Sequence, residues 1–289
     1  MGKDTGIEWA HDSWAPWFGC SKISRGCQNC YADTLVSKRF KLAEWGPLGV
    51  RKRSAPSTWR LPVTWHRQAL AQGQRRRLFC GHLCDVFENK RKAQPGENLP
   101  QWRRELVALI DQCHALDWLI LTKRPHNVMA MLAEATEGDP AAWLKARPWV
   151  WLGTSIEDQA TAAQRLPALA AIPAHVRFVS AEPLLEPINL LTWLGHVDWV
   201  IVGGESGTNA RPCHVEWIRN VAQQCRARGV PVFVKQLGDR AMANGVPYRA
   251  GPKGKALHLW PPDLRVQQVP QSLPWPAAPQ AQPDVPQRA

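Results

Sequence analysis

The chain is predicted to be an α/β protein, an incomplete (β/α) TIM-like barrel of about six to seven parallel strands, and three observations predict it. Short apolar runs rich in Val, Ile, Leu, Phe and Trp recur along the sequence, each bounded by turn residues, which is how strands buried on both faces read. Segments with helical spacing separate most of them, and strands alternating with helices form right-handed βαβ units on a parallel sheet. Nearly every run ends in polar or ionisable residues. A doubly wound sheet gathers ligand contacts at one switch point, whereas a barrel brings all its strand ends to one mouth, so polar ends throughout favour the barrel.

In chain order the strands are read at 16–20 (PWFGC), 78–84 (LFCGHLC), 118–123 (WLILTK), 149–155 (WVWLGTS), 177–183 (RFVSAEP), 199–206 (WVIVGGES) and 232–238 (VFVKQLG). Helices are read at 100–116, 157–172 and 214–229; in the last, Trp217, Val221 and Cys225 recur every four residues and Gly229 sits where a C-cap belongs. This strand count falls short of the eight that close a barrel, leaving an open side able to admit a bulky substrate.

With 289 residues and 45% hydrophobic content, the chain can bury one large core. A single domain is expected over 1–264. From Arg265 the sequence is rich in Pro, Gln and Ala with little to bury, so 265–289 is expected to be a disordered tail. No apolar run approaches the ~18 residues of a membrane span, and the start MGKDTGIEWAHD lacks the regions of a signal peptide; a cytoplasmic protein without membrane contact is expected. Eight cysteines in so long a chain are too sparse for a disulfide scaffold and point to reduced thiols or metal ligands. The net charge of +12 suits a polyanion or an anionic metabolite, and eight basic residues with no acid fall between Arg51 and Arg77. The sixteen tryptophans, Trp118, Trp151 and Trp199 among them, lie mostly in proposed strands and are read as core. No G-x-S-x-G elbow or H-E-x-x-H helix occurs, which weakens hydrolase readings.

The stretch FGCSKISRGCQNCYAD, residues 18–33, carries Cys20, Cys27 and Cys30 in C-x6-C-x2-C spacing just after the first proposed strand. Structural zinc takes four closed ligands, usually as two close pairs, and this stretch offers one pair plus one. A four-iron cluster held by three thiolates keeps an open iron, which is what chemistry at the cluster requires. Gly19 and Gly26 each precede a cysteine and allow close wrapping of the backbone.

Three cysteines after the first strand of a partial barrel resemble the radical S-adenosylmethionine (radical SAM) superfamily, although the usual spacing there is C-x3-C-x2-C with an aromatic before the last cysteine. Here Asn29 holds that place and Tyr31 follows the motif. Over about residues 6–240 the strings GIEWAHDSWAPWFGCSKISRGCQNCYAD, LILTKRP, WLGTSIEDQ, RFVSAEPLLEPI, WVIVGGESG, ARPCHVEW and VFVKQLG are similar to those of a phage and prophage protein family of unassigned function. The radical SAM resemblance implies a [4Fe-4S] cluster on Cys20, Cys27 and Cys30. It also implies S-adenosylmethionine (SAM) on the fourth iron, a one-electron donor such as a flavodoxin or ferredoxin, and cleavage of SAM to methionine and a 5′-deoxyadenosyl radical. With a basic segment and phage relatives, a nucleic acid or nucleotide is the substrate class to test first.

SAM presents an ammonium, a carboxylate, a ribose diol and an adenine. Acceptors for the ammonium and diol are sought in Asp85, Glu157, Glu182 and Glu205, with Ser155 beside Glu157; cations or free N–H groups for the carboxylate in Lys123, Arg124 and the Gly203-Gly204 turn. Pro183 restricts Glu182 to extended geometry. Lys235 is the candidate acid or base, or else the partner of a carboxylate. Cys80, His82 and Cys84 alternate along the second proposed strand and are expected on one face, most simply as core. Two rival readings remain. One is a zinc-stabilised nucleic-acid-binding module in which His11 or Cys84 completes the site and Arg51–Arg77 contacts phosphates; the other is an interaction protein with a merely structural cluster.

Overall fold

Each parallel pairing in the sheet joins strands that are neighbours in sequence, as short βα connections dictate. The computed structural model describes residues 2–3, 6–90 and 93–271. The parallel strands are β1 (Asp12–Trp14), β2 (Arg76–Cys80), β3 (Leu116–Thr122), β4 (Val150–Ile156), β5 (Val176–Ala181), β6 (Trp199–Gly203) and β7 (Val232–Gln236). They pair in that order, and β1 does not return to β7, so the seven strands form a half-barrel. Gly2–Lys3 pairs antiparallel with β1 along its outer margin. On β7, Val234 N–H donates to Val266 O at 2.8 Å and Gln268 N–H to Val232 O at 3.0 Å.

Helices cover the outside: α1 (Leu61–Gln72), α2 (Leu99–Gln112), α3 (Val128–Thr136), α4 (Pro140–Lys145), α5 (Gln159–Ala170) and α6 (Val215–Ala227). The reasons are local. The Asn98 side chain caps α2 at Gln101 N–H, and Asp158 with Thr161 forms a capping box on α5. α6 buries Val215, Ile218, Val221, Ala222 and Cys225 along one stripe and closes through Gly229 at φ +67°, with Val230 N–H returning to Cys225 O. These stripes meet the outward residues of the strands, such as Trp118, Ile120, Leu152, Val200 and Val232.

Inward residues form a separate aromatic layer. Trp9, Phe79, Trp151, Phe178, Trp199 and Phe233 fill the lumen with Leu119 and Ile201, at ring separations of 4.6 Å for Trp9–Phe79 and 5.9 Å for Phe178–Trp199. Gly153 leaves room for the Phe178 ring, which stands 2.5 Å from where a Cβ would lie. Further along the same inward faces come Lys123, Ser155, Glu157, Ser180, Glu182 and Lys235. The lumen therefore changes from an aromatic floor to a polar mouth within two residues of each strand.

The structure corrects the sequence reading at several places. The first strand is Asp12–Trp14 rather than 16–20; Trp17–Phe18 pairs instead with Lys52–Arg53 in a small antiparallel ribbon. Asp12 broke the apolar pattern, yet it is fully buried because Arg76 holds both its oxygens, at 2.8 and 3.0 Å. The second strand stops at Cys80, because Gly81 turns away at φ +85°, so Cys80, His82 and Cys84 do not share a strand face. Residues 266–268, at the start of the expected tail, pair with β7 and are also held from β6, where Trp199 Nε1 donates to Gln268 O at 2.9 Å. Residues 272–289 lie outside the described residues. Among the described residues no helix is long and apolar enough to cross a membrane.

Candidate functional site

The loop carrying the three cysteines lies across the C-terminal ends of the strands and is fastened there by backbone contacts. Gly26 N–H donates to Glu157 Oε1 at 3.2 Å, and a Cβ at Gly26 would stand 2.8 Å from the Glu157 carboxyl carbon, so a larger residue would have to displace that carboxylate. Arg124 Nη2 donates to Ser21 O at 3.0 Å, Arg211 Nη1 to Arg25 O at 2.9 Å, and Asn29 Nδ2 to Glu205 Oε2 at 3.0 Å. Four residues from the ends of β3, β4 and β6 and the loops after them, Arg124, Glu157, Glu205 and Arg211, thus hold a segment that has little regular structure of its own.

All three thiols are free of disulfides, Cys27 buried and the other two partly so. Burial pushes the Cys20 and Cys30 thiols up from their ordinary value; Asp85 and Glu88 add to this at Cys20, and Arg124 opposes it, as Lys123 does at Cys30. Arg124 Nη1 lies 3.7 Å from Cys20 Sγ, and Cys27 Sγ lies 3.7 Å from Ser24 Oγ. Among the described residues, no three His, Cys, Asp or Glu side chains are already assembled as a metal site. The donor chemistry nonetheless suits an anionic sulfur-ligated group: three thiols on one loop, with two cations beside them.

Three of the strand-end carboxylates are spoken for. Asp85 accepts from Thr122 Oγ1 at 2.7 Å, Arg124 Nη1 at 2.8 Å and Phe87 N–H at 3.0 Å. Glu157 pairs with Arg165 at 2.9 Å and Lys123 at 3.6 Å, and Arg165 also donates to Ser155 O at 2.7 Å. Glu205 receives Arg211 N–H, Nε and Nη2. These groups position the loop. The Gly203-Gly204 turn offers no free N–H at Gly204, which donates to Gln236 O at 3.0 Å. Neither glycine has positive φ; their role is close approach, since a Cβ on Gly204 would sit 2.4 Å from Leu237 O.

Glu182 and Lys235 differ. They face the lumen partly exposed, with Lys235 Nζ 3.0 Å from Glu182 Oε1 and Ser180 Oγ donating to Oε2 at 3.1 Å. The ion pair's geometry leaves Oε1 without a hydrogen bond. Of the two roles foreseen for Lys235, the structure places it as the partner of a carboxylate.

Cys84 sits beside the loop, its residue bridged to Gly19, and Cys20 is among the charges that raise its thiol pKa after burial and Cys80. His11 is distant: it precedes β1, and its Nδ1 accepts from Arg77 N–H at 2.8 Å, so it completes no site with the cysteines. Five of the eight basic residues between Arg51 and Arg77 are engaged within the fold, while Lys52, Arg60 and Arg67 are exposed. Arg51 pairs with Glu88, Arg53 with Glu105, Arg75 with Asp117 and Arg76 with Asp12, and Arg77 donates to Trp9 O at 3.1 Å.

Sequence reasoning missed the roles of Arg165, Arg211, Asn29, Arg51 and Glu88: Asn29 meets Glu205 and Arg51 meets Glu88 across long stretches of chain, whereas Arg165 and Arg211 pair with Glu157 and Glu205 eight and six residues away without any motif to mark them. At Glu88, Glu157 and Glu205 burial works against the charge, but the Arg51, Lys123, Arg165 and Arg211 partners outweigh it and hold each carboxyl below its ordinary value. Their stabilisation is complete above the unfolded glutamate value of about 4.3 and is lost as pH falls through the lower folded values. Urea unfolding is expected to show a level stability from pH 7 to about pH 5 and a steep decline below about pH 4; a flat profile down to pH 3 would contradict these assignments.

The chain belongs to the family described as "Protein of unknown function (DUF5131)", which it matches over residues 4–261. No curated protein and no solved structure matches it.

Proposed function

We propose that this DUF5131 protein is an iron–sulfur enzyme of the radical SAM type, with Cys20, Cys27 and Cys30 as ligands of a [4Fe-4S] cluster and SAM bound beside it in the mouth. The observation that carries the reading is the fastening of a three-thiol loop across the strand ends of a half-barrel, with Arg124 Nη1 3.7 Å from Cys20 Sγ. When bound, the cluster and SAM supply reductive cleavage of the sulfonium, fed by an external one-electron donor such as a flavodoxin or ferredoxin.

The residues of the chain bind and orient. Arg124 and Lys123 offset the negative charge of thiolate ligands. Glu157 and Arg211 hold the loop backbone at Gly26 and Arg25, and Glu205 holds the Asn29 side chain. Glu182, partly exposed in the mouth and paired with Lys235 at 3.0 Å, is the carboxylate that an incoming ammonium would share with that lysine. The aromatic floor shuts water out from below. Lys22, Arg25, Lys38, Arg39 and Lys41, exposed on the loop and the segment after it, favour an anionic substrate, with nucleic acid or a nucleotide to be tried first.

Anaerobic purification of the full chain is expected to yield about four iron and four sulfide per chain and, after reduction with dithionite, 5′-deoxyadenosine from SAM. Cys27→Ala should lose both. A colourless protein holding zinc, or a reducible cluster that never releases 5′-deoxyadenosine, overturns the proposal.

A further inference from the structure

The chain leaving the cysteine loop runs directly into a helix of unusual winding. After one α turn at Tyr31–Asp33, residues Thr34–Arg39 are wound as a π-helix, a rare geometry that recurs at functional sites. Phe40 N–H donates to Leu35 O at 2.9 Å, and Lys41 follows at φ +50°, a left-handed conformation that costs energy in a residue with a side chain. The segment is tied to both ends of the cysteine loop: Thr34 N–H donates to Cys30 O at 3.1 Å, and Gly46 N–H to Cys20 O at 2.9 Å.

Its two faces differ. Ala32 and Val36 are buried with Ala15, Phe18 and Leu83, while Tyr31, Thr34, Lys38, Arg39, Phe40 and Lys41 are exposed. The Phe40 ring is 55% exposed, with the Arg39 guanidinium 5.3 Å from its centroid. Residues 34–41 carry three cations and no acid. None of the three is ion-paired among the described residues, and Asp33, the acid just before them, is taken by Lys22 at 3.1 Å. The buried pair accounts for the docking of the helix. It does not account for a π turn that ends by holding a phenyl ring in water among three cations.

An exposed ring flanked by cations is what single-stranded nucleic acids bind, the bases stacking and the phosphates meeting the charges. An acidic protein suits it less, since lysine supplies two of the three charges and is depleted at protein interfaces. We propose that Lys38, Arg39, Phe40 and Lys41 form a landing site for single-stranded nucleic acid at the rim of the mouth, with a base on Phe40 and phosphates on the three cations. Tyr31, on the exposed side one turn or so earlier, donates its hydroxyl to His82 O at 2.9 Å just beyond β2, which gives the direction from the landing site into the mouth. The inference rests on the enzymatic reading only for what happens to the strand once it arrives; the binding itself needs no cluster.

The test is fluorescence anisotropy on the anaerobically purified full chain, with a labelled DNA strand of about twelve nucleotides and the same strand in duplex. The single strand should bind more tightly. Phe40→Ala should weaken its binding about ten-fold, within the range for one stacked base, and leave the duplex unaffected. Lys38→Gln, Arg39→Gln and Lys41→Gln together should lower the slope of log affinity against log salt by about two, at about 0.7 for each phosphate contact. Arg67→Gln, Lys145→Gln and Arg228→Gln together remove the same charge from exposed positions on or after the outer helices α1, α4 and α6 and should change the slope little. A strand held no tighter than its duplex, an unaltered affinity in Phe40→Ala, or a second triple variant that matches the first overturns the proposal. Release of 5′-deoxyadenosine from SAM, measured without DNA, reports on the cluster separately, so the failure of one reading is distinct from the failure of the other.

Discussion

Arg51→Met is expected to lower the unfolding free energy by about 3–5 kcal/mol, the range for removing one partner of a buried ion pair. The Arg51 guanidinium is fully buried and makes five contacts: both Glu88 oxygens, Gly49 O at 2.6 Å, Gly46 O at 3.0 Å and Ser21 Oγ at 3.0 Å. Without it, Glu88 keeps the Ser21 hydroxyl and the more distant Arg124 at 3.8 Å, and the Gly49 and Gly46 carbonyls each lose one of two donors, keeping Lys90 Nζ and Gly49 N–H. Urea denaturation of Arg51→Met, Glu88→Gln and the double variant forms the deciding cycle. The double variant should recover part of the loss, because the stranded charge has gone. A single-variant loss below about 1 kcal/mol, the range for an exposed pair, would refute the burial argument.

Trp199→Ala is expected to cost a similar amount, about 3–5 kcal/mol, by a different route. Its ring has no exposed surface and sits among Trp9, Trp151, Phe178 and Phe233 at centroid separations of 6.1, 6.2, 5.9 and 6.3 Å. Truncation empties the centre of the floor, and four rings anchored on three different strands and on the turn before β1 cannot close the void together. It also removes the Nε1 donor to Gln268 O, so the segment after Arg265 should become cleavable by protease at concentrations that spare the wild type. Trp199→Phe, which keeps most of the volume, separates these effects: stability largely recovers while the segment stays loose.

The comparison of sequence with structure turns on where the pattern lay. Strands β3 to β7 were legible because each is a continuous apolar run such as WLILT or WVIVG. The helices at 99–112, 159–170 and 215–227 were legible from periodicity and caps. β1 was not, since its burial of Asp12 depends on Arg76, sixty-four residues away. The same reason hid the fabric of the mouth. That Glu157, Glu182 and Glu205 end strands could be read directly, but not that two of them face arginines and the loop backbone while Glu182 faces the lumen. Only the assembled barrel brings Glu205 to Asn29, and only the turn at Gly81 takes His82 and Cys84 off the strand.

A sheet that stops short of a ring has two raw flanks, and such flanks recruit further strands, including those of a second molecule. Here residues 2–3 and 266–268 sheathe them, so the gap in the wall can stay open to a visitor while its borders remain closed to self-stacking.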